Sequence, residues 1–118
     1  MQTIIRALSD IRLPPLAAEA LLGDAVAECL KTHGIGYERE RIIGPGCRAD
    51  FLCGDIVLEL KLAAKKPVAT QILRYLQCEC VEGLILVAER TVSLATAAKA
   101  SGKPVVCFSV RRAWGVAV

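Results

Sequence analysis

The sequence predicts a single α/β domain in which helices flank a mixed β-sheet. The chain has 118 residues, which is enough for one domain spanning 1–118 and too few for two. Hydrophobic residues make up 54% of the chain and supply ample material for a core. Segments with helical and strand periodicity follow one another in the order α-β-β-β-α-β, then α-β. Strands joined first by short turns and later by helices favour a sheet with antiparallel and parallel parts.

The first half of the chain predicts a helix followed by three strands. Residues 2–8 are apolar and fit either a short strand or a helical lead-in. A helical pattern covers 14–32 and begins with two prolines, which are tolerated in a first turn. Gly54 and Asp55 fit a tight hairpin connection between the second and third strands. The predicted strands cover 36–43, 48–53 and 56–62.

The second half predicts helices that alternate with strands. A basic connection through Lys65 and Lys66 leads into the first of these helices, and Gly102 ends the second. We expect the last residues of the chain to pair at a sheet edge. The predicted helices cover 69–80 and 92–100, the predicted strands cover 84–88 and 104–109, and the edge segment covers 111–118.

Charge and hydropathy set weaker expectations about partners and location. The net charge is +3, a mild basic bias that is compatible with a polyanionic partner without requiring one. No apolar run approaches the roughly 18 to 20 residues needed to span a bilayer, and the first residues do not resemble a secretory signal, so we expect a cytoplasmic protein. The mean hydropathy of +0.47 is high for so small a protein. A homodimer interface would bury the excess apolar surface.

The chain contains six cysteines, and their spacing gives little sign of a metal site. A chain this apolar does not need disulfides to be stable, so we expect reduced and mostly buried thiols. A zinc or iron–sulfur centre normally uses closely spaced pairs. The only close pair here is Cys78 and Cys80, which leaves a cysteine-bound metal as a weak alternative.

The third predicted strand carries the residues with the clearest chemistry. Side chains alternate between the two faces of a strand, so Glu59 and Lys61 point the same way, away from the leucines between and beside them. The turn at 54–55 places Asp50 opposite Glu59 on the preceding strand. Two carboxylates on adjacent strands can hold a hard divalent cation, and a lysine beside them can orient an attacking water or stabilise charge on a phosphate. This set predicts a site for metal-assisted phosphodiester hydrolysis.

These residues resemble the signature of the PD-(D/E)XK nuclease superfamily. An acidic residue at a hairpin, Asp50, is followed after eight intervening positions by Glu59 and Lys61 in an E-x-K pattern. Gln71 and Tyr75 on the next helix have the Q-x-x-x-Y spacing of the RecB-like branch. The resemblance is closest to the small GxxExxY group and covers about residues 16–88, with Ala49 where a proline usually precedes the aspartate. It implies a restriction-endonuclease-like core.

The resemblance also implies a magnesium-dependent nuclease that cuts DNA, with Mn²⁺ able to replace Mg²⁺. Lys61 would position or activate the water, and Gln71 and Tyr75 would orient the site. Glu19 matches the helix glutamate of the family less well, so Glu28 stays open as its rival, and Glu38 and Glu40 are weaker candidates. The implied metal ligands are Glu19, Asp50, Glu59 and the Leu60 carbonyl. The basic residues that could contact DNA phosphates are Lys65, Lys66 and Arg74.

Other interpretations of the same residues stay open. The chain could be a catalytically inactive nuclease-fold module that binds nucleic acid or a protein partner, as an accessory protein of a phage or mobile element would. Glu59 and Lys61 could be a surface pair at a sheet edge, and Gln71 and Tyr75 could be a simple helical contact.

His33 fits a cap at a helix end better than a catalytic role. Trp114 fits packing or an interface, with base stacking as an alternative.

Overall fold

The computed structural model describes residues 1–11, 19–61, 69–91 and 93–110, apart from the side chains of Glu19 and Ala20. Four helices and five strands occur in this part of the chain. The helices are α1 (Gln2–Leu8), α2 (Glu19–Thr32), α3 (Ala69–Leu76) and α4 (Ala95–Ser101). The strands are β1 (Glu38–Gly44), β2 (Cys47–Cys53), β3 (Ile56–Lys61), β4 (Gly83–Ala88) and β5 (Val105–Ser109).

The five strands form one mixed sheet in the order β1-β2-β3-β4-β5. β1, β2 and β3 are antiparallel neighbours, whereas β4 and β5 run parallel to β3. Short turns join the antiparallel strands, and each turn contains a glycine with positive φ: Gly46 at 68° and Gly54 at 63°. α3 and α4 supply the crossovers that parallel neighbours require. The predicted α/β class with a mixed, helix-flanked sheet is therefore confirmed.

Helices cover both faces of the sheet at its central strands, whereas β1 is mostly exposed. On one face, α1 and α2 pack with Phe51, Leu58 and Ile85 in one apolar cluster. On the other face, α3 and α4 pack with Val57 and Leu84 in a second cluster. β4 is buried along its whole length, as expected for a parallel strand covered on both sides. The central strands are thus removed from water, and any charged group on them is there at an energetic cost.

Residues 2–8, which fit either a short strand or a helical lead-in, form the helix α1, whose residues Ile4, Ala7 and Leu8 share one buried face. Two predicted helices differ from the structure. The predicted helix over 69–80 is too long, since α3 ends at Leu76. There the Nζ of Lys103 donates to the carbonyl oxygens of Leu76, Cys78 and Val81, and these contacts hold a loop where the pattern predicted a last helical turn.

The helix predicted from residue 92 begins at Ala95 and ends, as expected, before Gly102, whose φ is 71°. The start of the helix predicted over 14–32 lies outside the described residues, as do Leu62 of the third strand and the edge segment over 111–118, which includes Trp114. None of the described helices is long and apolar enough to cross a membrane.

The surface of the described residues bears on three smaller expectations. Two large apolar side chains are exposed on the described surface, Leu21 on α2 and Ile42 on β1. They lie on different elements, and the homodimer stays a prediction.

His33 follows the last residue of α2, and its Nε2 contacts the Asp10 carboxylate at 2.8 Å, so it joins α2 to the segment after α1. No disulfide joins any of the six cysteines, all of which are described, and three of them are buried: Cys29, Cys47 and Cys53.

Candidate metal centre at a fork in the sheet

The sheet forks at Asp50, where β2 leaves β3. β2 pairs with β3 only from Phe51, opposite Leu58, to Cys53, opposite Ile56. In the other direction β2 continues beside β1 as far as Cys47. Asp50 is the first residue of β2 beyond the shared ladder, and the same register would place it across from Glu59. The register predicted from the hairpin turn is therefore the observed one.

The side-chain alternation of β2 reverses at the same residue. Ala49 is buried with α3 and α4, whereas Phe51, two residues later, is buried with α1 and α2. In a regular strand both would lie on one face. Between the paired positions Arg39–Phe51 and Arg41–Ala49 lie Asp50 and Glu40, and Glu40 has a φ of 51°. The backbone is thus locally twisted on both strands, which frees the Asp50 side chain from the alternation of its neighbours.

The Asp50 carboxylate turns toward β3. Its Oδ2 accepts a hydrogen bond from the backbone N–H of Leu60 at 2.8 Å. In the ladder that ends at Leu58, such an N–H would be bonded to a carbonyl of the neighbouring strand. The Asp50 carboxylate therefore takes the place of a backbone acceptor between the two separating strands. The hydrogen bond from Leu60 fixes the position of this negatively charged group.

Glu59 is buried within the sheet, with 3% of its surface exposed, and α3 supplies its partners. Gln71 Nε2 donates to Glu59 Oε2 at 2.9 Å and also lies 3.3 Å from the Tyr75 hydroxyl oxygen. That hydroxyl is 2.8 Å from the Arg48 carbonyl oxygen and 3.2 Å from Glu59 Oε2. Since a tyrosine has one hydroxyl proton, it can donate to only one of these two acceptors at a time.

The other oxygen of Glu59, Oε1, is buried and has no hydrogen-bond partner among the described residues. Burial, then the negative charge of Asp50 and a hydrogen bond between the two carboxyl groups, raise the pKa of Glu59 from an ordinary value of 4.5 to about 8. That hydrogen bond needs a proton on one of the two groups. Two ionised carboxylates are both acceptors, so neither can satisfy the other. A proton or a cation between Asp50 and Glu59 would remove this conflict.

Lys61 lies on the same face of β3 as Glu59, two residues further along, and its side chain is half-buried. Its positive charge opposes the rise in the pKa of Glu59, so the two groups interact electrostatically. No direct ion pair joins Lys61 to Asp50 or Glu59, all three of which are described. The lysine thus interacts with Glu59 and still has its donors available to a water or a phosphate oxygen.

An open cleft of about 300 Å³ lies next to these groups. Gln71 and Tyr75, which contact Glu59, also form part of its wall, and the exposed Arg74 lies between them on α3. The remaining lining residues come from the β1–β2 turn and the start of α3: Gly46, Cys47 and Thr70. Asp50 and Glu59 are not among its lining residues, so Gln71 and Tyr75 are what the cleft and the buried carboxylate share.

The structure brings together five of the residues predicted for the site: Asp50, Glu59, Lys61, Gln71 and Tyr75. Within the described ranges, no group of three or more histidine, cysteine or acidic side chains is placed to hold a metal ion, so the structure adds no third acidic ligand to Asp50 and Glu59. The rival Glu28 is exposed on α2, and the weaker candidates Glu38 and Glu40 are exposed on β1.

Three predicted site residues lie outside what the structure describes: Lys65, Lys66 and the side chain of Glu19. The sequence did not predict the contact between Arg48 and Tyr75. Arg48 accepts the Tyr75 hydroxyl through its backbone carbonyl, and a pattern of side chains does not indicate a backbone contact. Lys103, which fixes the loop after α3, was also missed, since no periodicity links it to a helix that ends 27 residues earlier.

Comparisons of the chain with known protein families, with curated proteins and with solved structures found no match. What the site can do is therefore inferred from its own chemistry.

Proposed function

We propose that this chain is a metal-dependent nuclease that hydrolyses phosphodiester bonds of DNA. The single observation that carries the proposal is the buried Glu59, whose Oε1 has no partner among the described residues and whose pKa is raised by the charge of Asp50 and lowered by that of Lys61. A buried carboxylate is expensive unless a positive charge or a full set of hydrogen bonds compensates it. A divalent cation held between Asp50 and Glu59 would supply that compensation.

The residues at the fork fit a hard cation such as Mg²⁺, with Mn²⁺ as a substitute. Asp50 and Glu59 offer carboxylate oxygens, which are the ligands such ions prefer. The N–H of Leu60 points toward Asp50, and in a strand the C=O of a residue points to the same side as its N–H. The Leu60 carbonyl is therefore available as a third ligand. Glu19 stays in the proposal as a fourth.

When bound, the cation would lower the pKa of a water and neutralise negative charge on the scissile phosphate. The protein groups around it have separate tasks. Lys61 would hold the attacking water or stabilise the developing phosphate charge, since its ammonium is not paired with either carboxylate. Gln71 and Tyr75 would keep Glu59 in one orientation through their hydrogen bonds to Oε2. Arg74 would contact the DNA backbone along the cleft, together with Lys65 and Lys66.

The topology supports a restriction-endonuclease-like core as part of the same proposal. The antiparallel hairpin β2–β3 carries the aspartate and the E-x-K residues, and α3 then leads to a parallel strand, β4. This is the order of elements that the resemblance to the PD-(D/E)XK superfamily implied. Fold alone does not establish activity, so the proposal depends on the carboxylate pair and the lysine.

The experiment is cleavage of plasmid and single-stranded DNA in the presence of Mg²⁺ or Mn²⁺. We expect the wild type to cut DNA, chelation to stop cutting, and Lys61→Ala to reduce the rate at least 100-fold. Lys99→Ala is the matched control, because Lys99 is an exposed lysine on α4, which packs near α3. A wild type that cuts neither substrate, or a Lys61→Ala variant that cuts as fast as Lys99→Ala, would refute the catalytic assignment.

A catalytically inactive module is the second candidate, and one observation favours it. A pKa of about 8 at Glu59 means that a single proton shared with Asp50 could stabilise the pair at neutral pH without any metal. Calorimetry with Mn²⁺ at pH 6 and pH 8 separates the two candidates. The nuclease predicts binding that strengthens as the pH rises and is lost in Asp50→Asn. The inactive module predicts no binding at either pH.

A further inference from the structure

Three cysteine side chains from two distant parts of the chain converge at the end of the cleft. Cys47 lies at the start of β2, and Cys78 and Cys80 lie in the loop after α3. Cys80 Sγ is 4.0 Å from the carbonyl oxygen of Ile43, at the end of β1. Cys78 packs against the same buried cluster that contains Cys47. The loop after α3 therefore lies directly on the β1–β2 turn.

Gly44 lies beside both Cys47 and Cys78, and its lack of a side chain lets the two thiols approach each other. Gly44 is the cross-strand partner of Cys47. The Sγ of Cys78 is 3.1 Å from the place that a Cβ on Gly44 would occupy, so the absence of a side chain at Gly44 leaves room for this thiol. The Cβ positions of directly opposed residues are about 5 Å apart on one face of a sheet. The two thiols are thus neighbours, and a hydrogen bond with the Cys47 thiol is among the causes that raise the pKa of Cys78. A disulfide forms only after an adjustment that brings the two sulfurs to bonding distance.

We propose that Cys47 and Cys78 are a modification site, at which oxidation forms an intramolecular disulfide that ties the β1–β2 turn to the end of α3. The oxidant is a low-molecular-weight disulfide, such as oxidised glutathione. The proposal does not depend on nuclease activity, because it concerns only the two thiols and the loops that carry them.

The exchange proceeds in two balanced steps. The Cys78 thiol, which is half-buried and more accessible than Cys47, loses its proton to solvent and attacks one sulfur of oxidised glutathione. The glutathione S–S bond breaks, and one glutathione thiolate leaves. The Cys47 thiol then loses its proton and attacks the Cys78 sulfur, which releases the second glutathione thiolate. The two protein thiols lose two electrons together, and one glutathione disulfide is reduced to two thiols.

The surroundings set the rate of the first step. Burial and the neighbouring Cys47 and Cys80 thiols raise the pKa of Cys78, and the Lys103 ammonium partly opposes them. Only the thiolate attacks a disulfide, so the exchange accelerates as the pH rises from neutral. Cys47 also lines the cleft beside Tyr75, so the crosslink would fix one end of that cleft.

The test is to incubate the wild type with oxidised glutathione, alkylate the remaining thiols, and map tryptic peptides by mass spectrometry without reduction. Cleavage after Arg41, Arg48, Arg74 and Arg90 places Cys47 on peptide 42–48 and both Cys78 and Cys80 on peptide 75–90. We expect a crosslink between these two peptides. It should persist in Cys80→Ser and disappear in Cys78→Ser, which identifies the partner of Cys47.

Thermal unfolding gives an independent readout. A bond that closes a loop of about 30 residues should raise the Tm of oxidised wild type and oxidised Cys80→Ser by roughly 10 °C, and leave Cys78→Ser unchanged. The proposal is overturned if oxidation links Cys78 to Cys80, links Cys47 to Cys80, or stops at a glutathione adduct. A Cys78–Cys80 bond and a glutathione adduct each change the peptide masses. Links from Cys47 to Cys78 or to Cys80 have equal masses in the wild type, so the Cys78→Ser and Cys80→Ser variants distinguish them.

Discussion

The carboxylate of Asp50 accepts a hydrogen bond from the backbone N–H of Leu60 at 2.8 Å, in the gap where β2 and β3 separate. Asp50 therefore has two roles, because it completes the hydrogen bonding of the sheet and places a negative charge beside Glu59. Two substitutions separate these roles. Asparagine keeps a side-chain acceptor for Leu60 and removes the charge, whereas alanine removes both.

We expect Asp50→Ala to lower the free energy of unfolding by about 1 to 2 kcal/mol, since it leaves the Leu60 N–H without a partner. Asp50→Asn should cost less than this and still abolish Mn²⁺ binding. Urea unfolding and calorimetry of both variants provide the measurements. Equal loss of stability in the two variants would show that the hydrogen bond to Leu60 contributes little.

Glu59 should make the stability of the metal-free protein depend on pH. Its pKa in the folded state, about 8, lies above the ordinary value of 4.5 that applies when the chain is unfolded. The folded protein therefore binds this proton more tightly, and the resulting stabilisation is fully present below about pH 4.5 and is lost as the pH rises through 8. We expect Glu59→Gln to remove this loss, which is on the order of 4 kcal/mol between pH 5 and pH 9.

Urea unfolding at several pH values, with chelator present, measures this effect. Glu28→Gln is the control, because Glu28 is exposed on α2 and its removal should leave the pH dependence of the wild type intact. If Glu59→Gln and the wild type lose stability in parallel between pH 5 and pH 9, Glu59 is already ionised at low pH and the metal-free pair shares no proton.

Tyr75 connects α3 to the fork through its hydroxyl group. Tyr75→Phe leaves the Arg48 carbonyl without this donor and removes a contact with Glu59. We expect a loss of about 1 to 2 kcal/mol in the free energy of unfolding and a slower nuclease reaction, because Glu59 is then oriented by Gln71 alone.

Tyr37→Phe is the matched control, since the Tyr37 ring packs on Phe51 and its hydroxyl makes no hydrogen bond to any described residue. The two variants should differ in both stability and rate, and equal behaviour would contradict the role given to the Tyr75 hydroxyl.

Lys103 fixes the end of α3 from a distant part of the chain. Its Nζ donates to three carbonyl oxygens, those of Leu76, Cys78 and Val81. Lys103→Met keeps most of the aliphatic length and removes all three bonds, so we expect a loss of roughly 1 to 3 kcal/mol in the free energy of unfolding. Lys99→Met, on the exposed side of α4, should change stability by less than about 0.5 kcal/mol. Thermal and urea unfolding of the pair test this, and a Lys103→Met variant as stable as Lys99→Met would show that solvent replaces these bonds.

The hairpin and its register were predictable from the sequence alone. A glycine-containing turn between two apolar strands fixes which residues face each other, because side chains alternate with a period of two. The same periodicity places Glu59 and Lys61 on one face, and helical spacing places Gln71 and Tyr75 one turn apart. These are local rules, and they bring Asp50, Glu59 and Gln71 into the correct elements.

Long-range packing decided what those local rules leave open. The reversal of side-chain direction at Asp50 depends on the twist of two paired strands, including the positive φ of Glu40, and neither residue type signals it. The early end of α3 depends on Lys103, and the burial that raises the pKa of Glu59 depends on helices packed on both faces of the sheet. The sequence by itself determined which residues carry the charges and on which strands. Only the tertiary structure decided that two of those charges are held together away from water, because desolvation is a property of the packed domain.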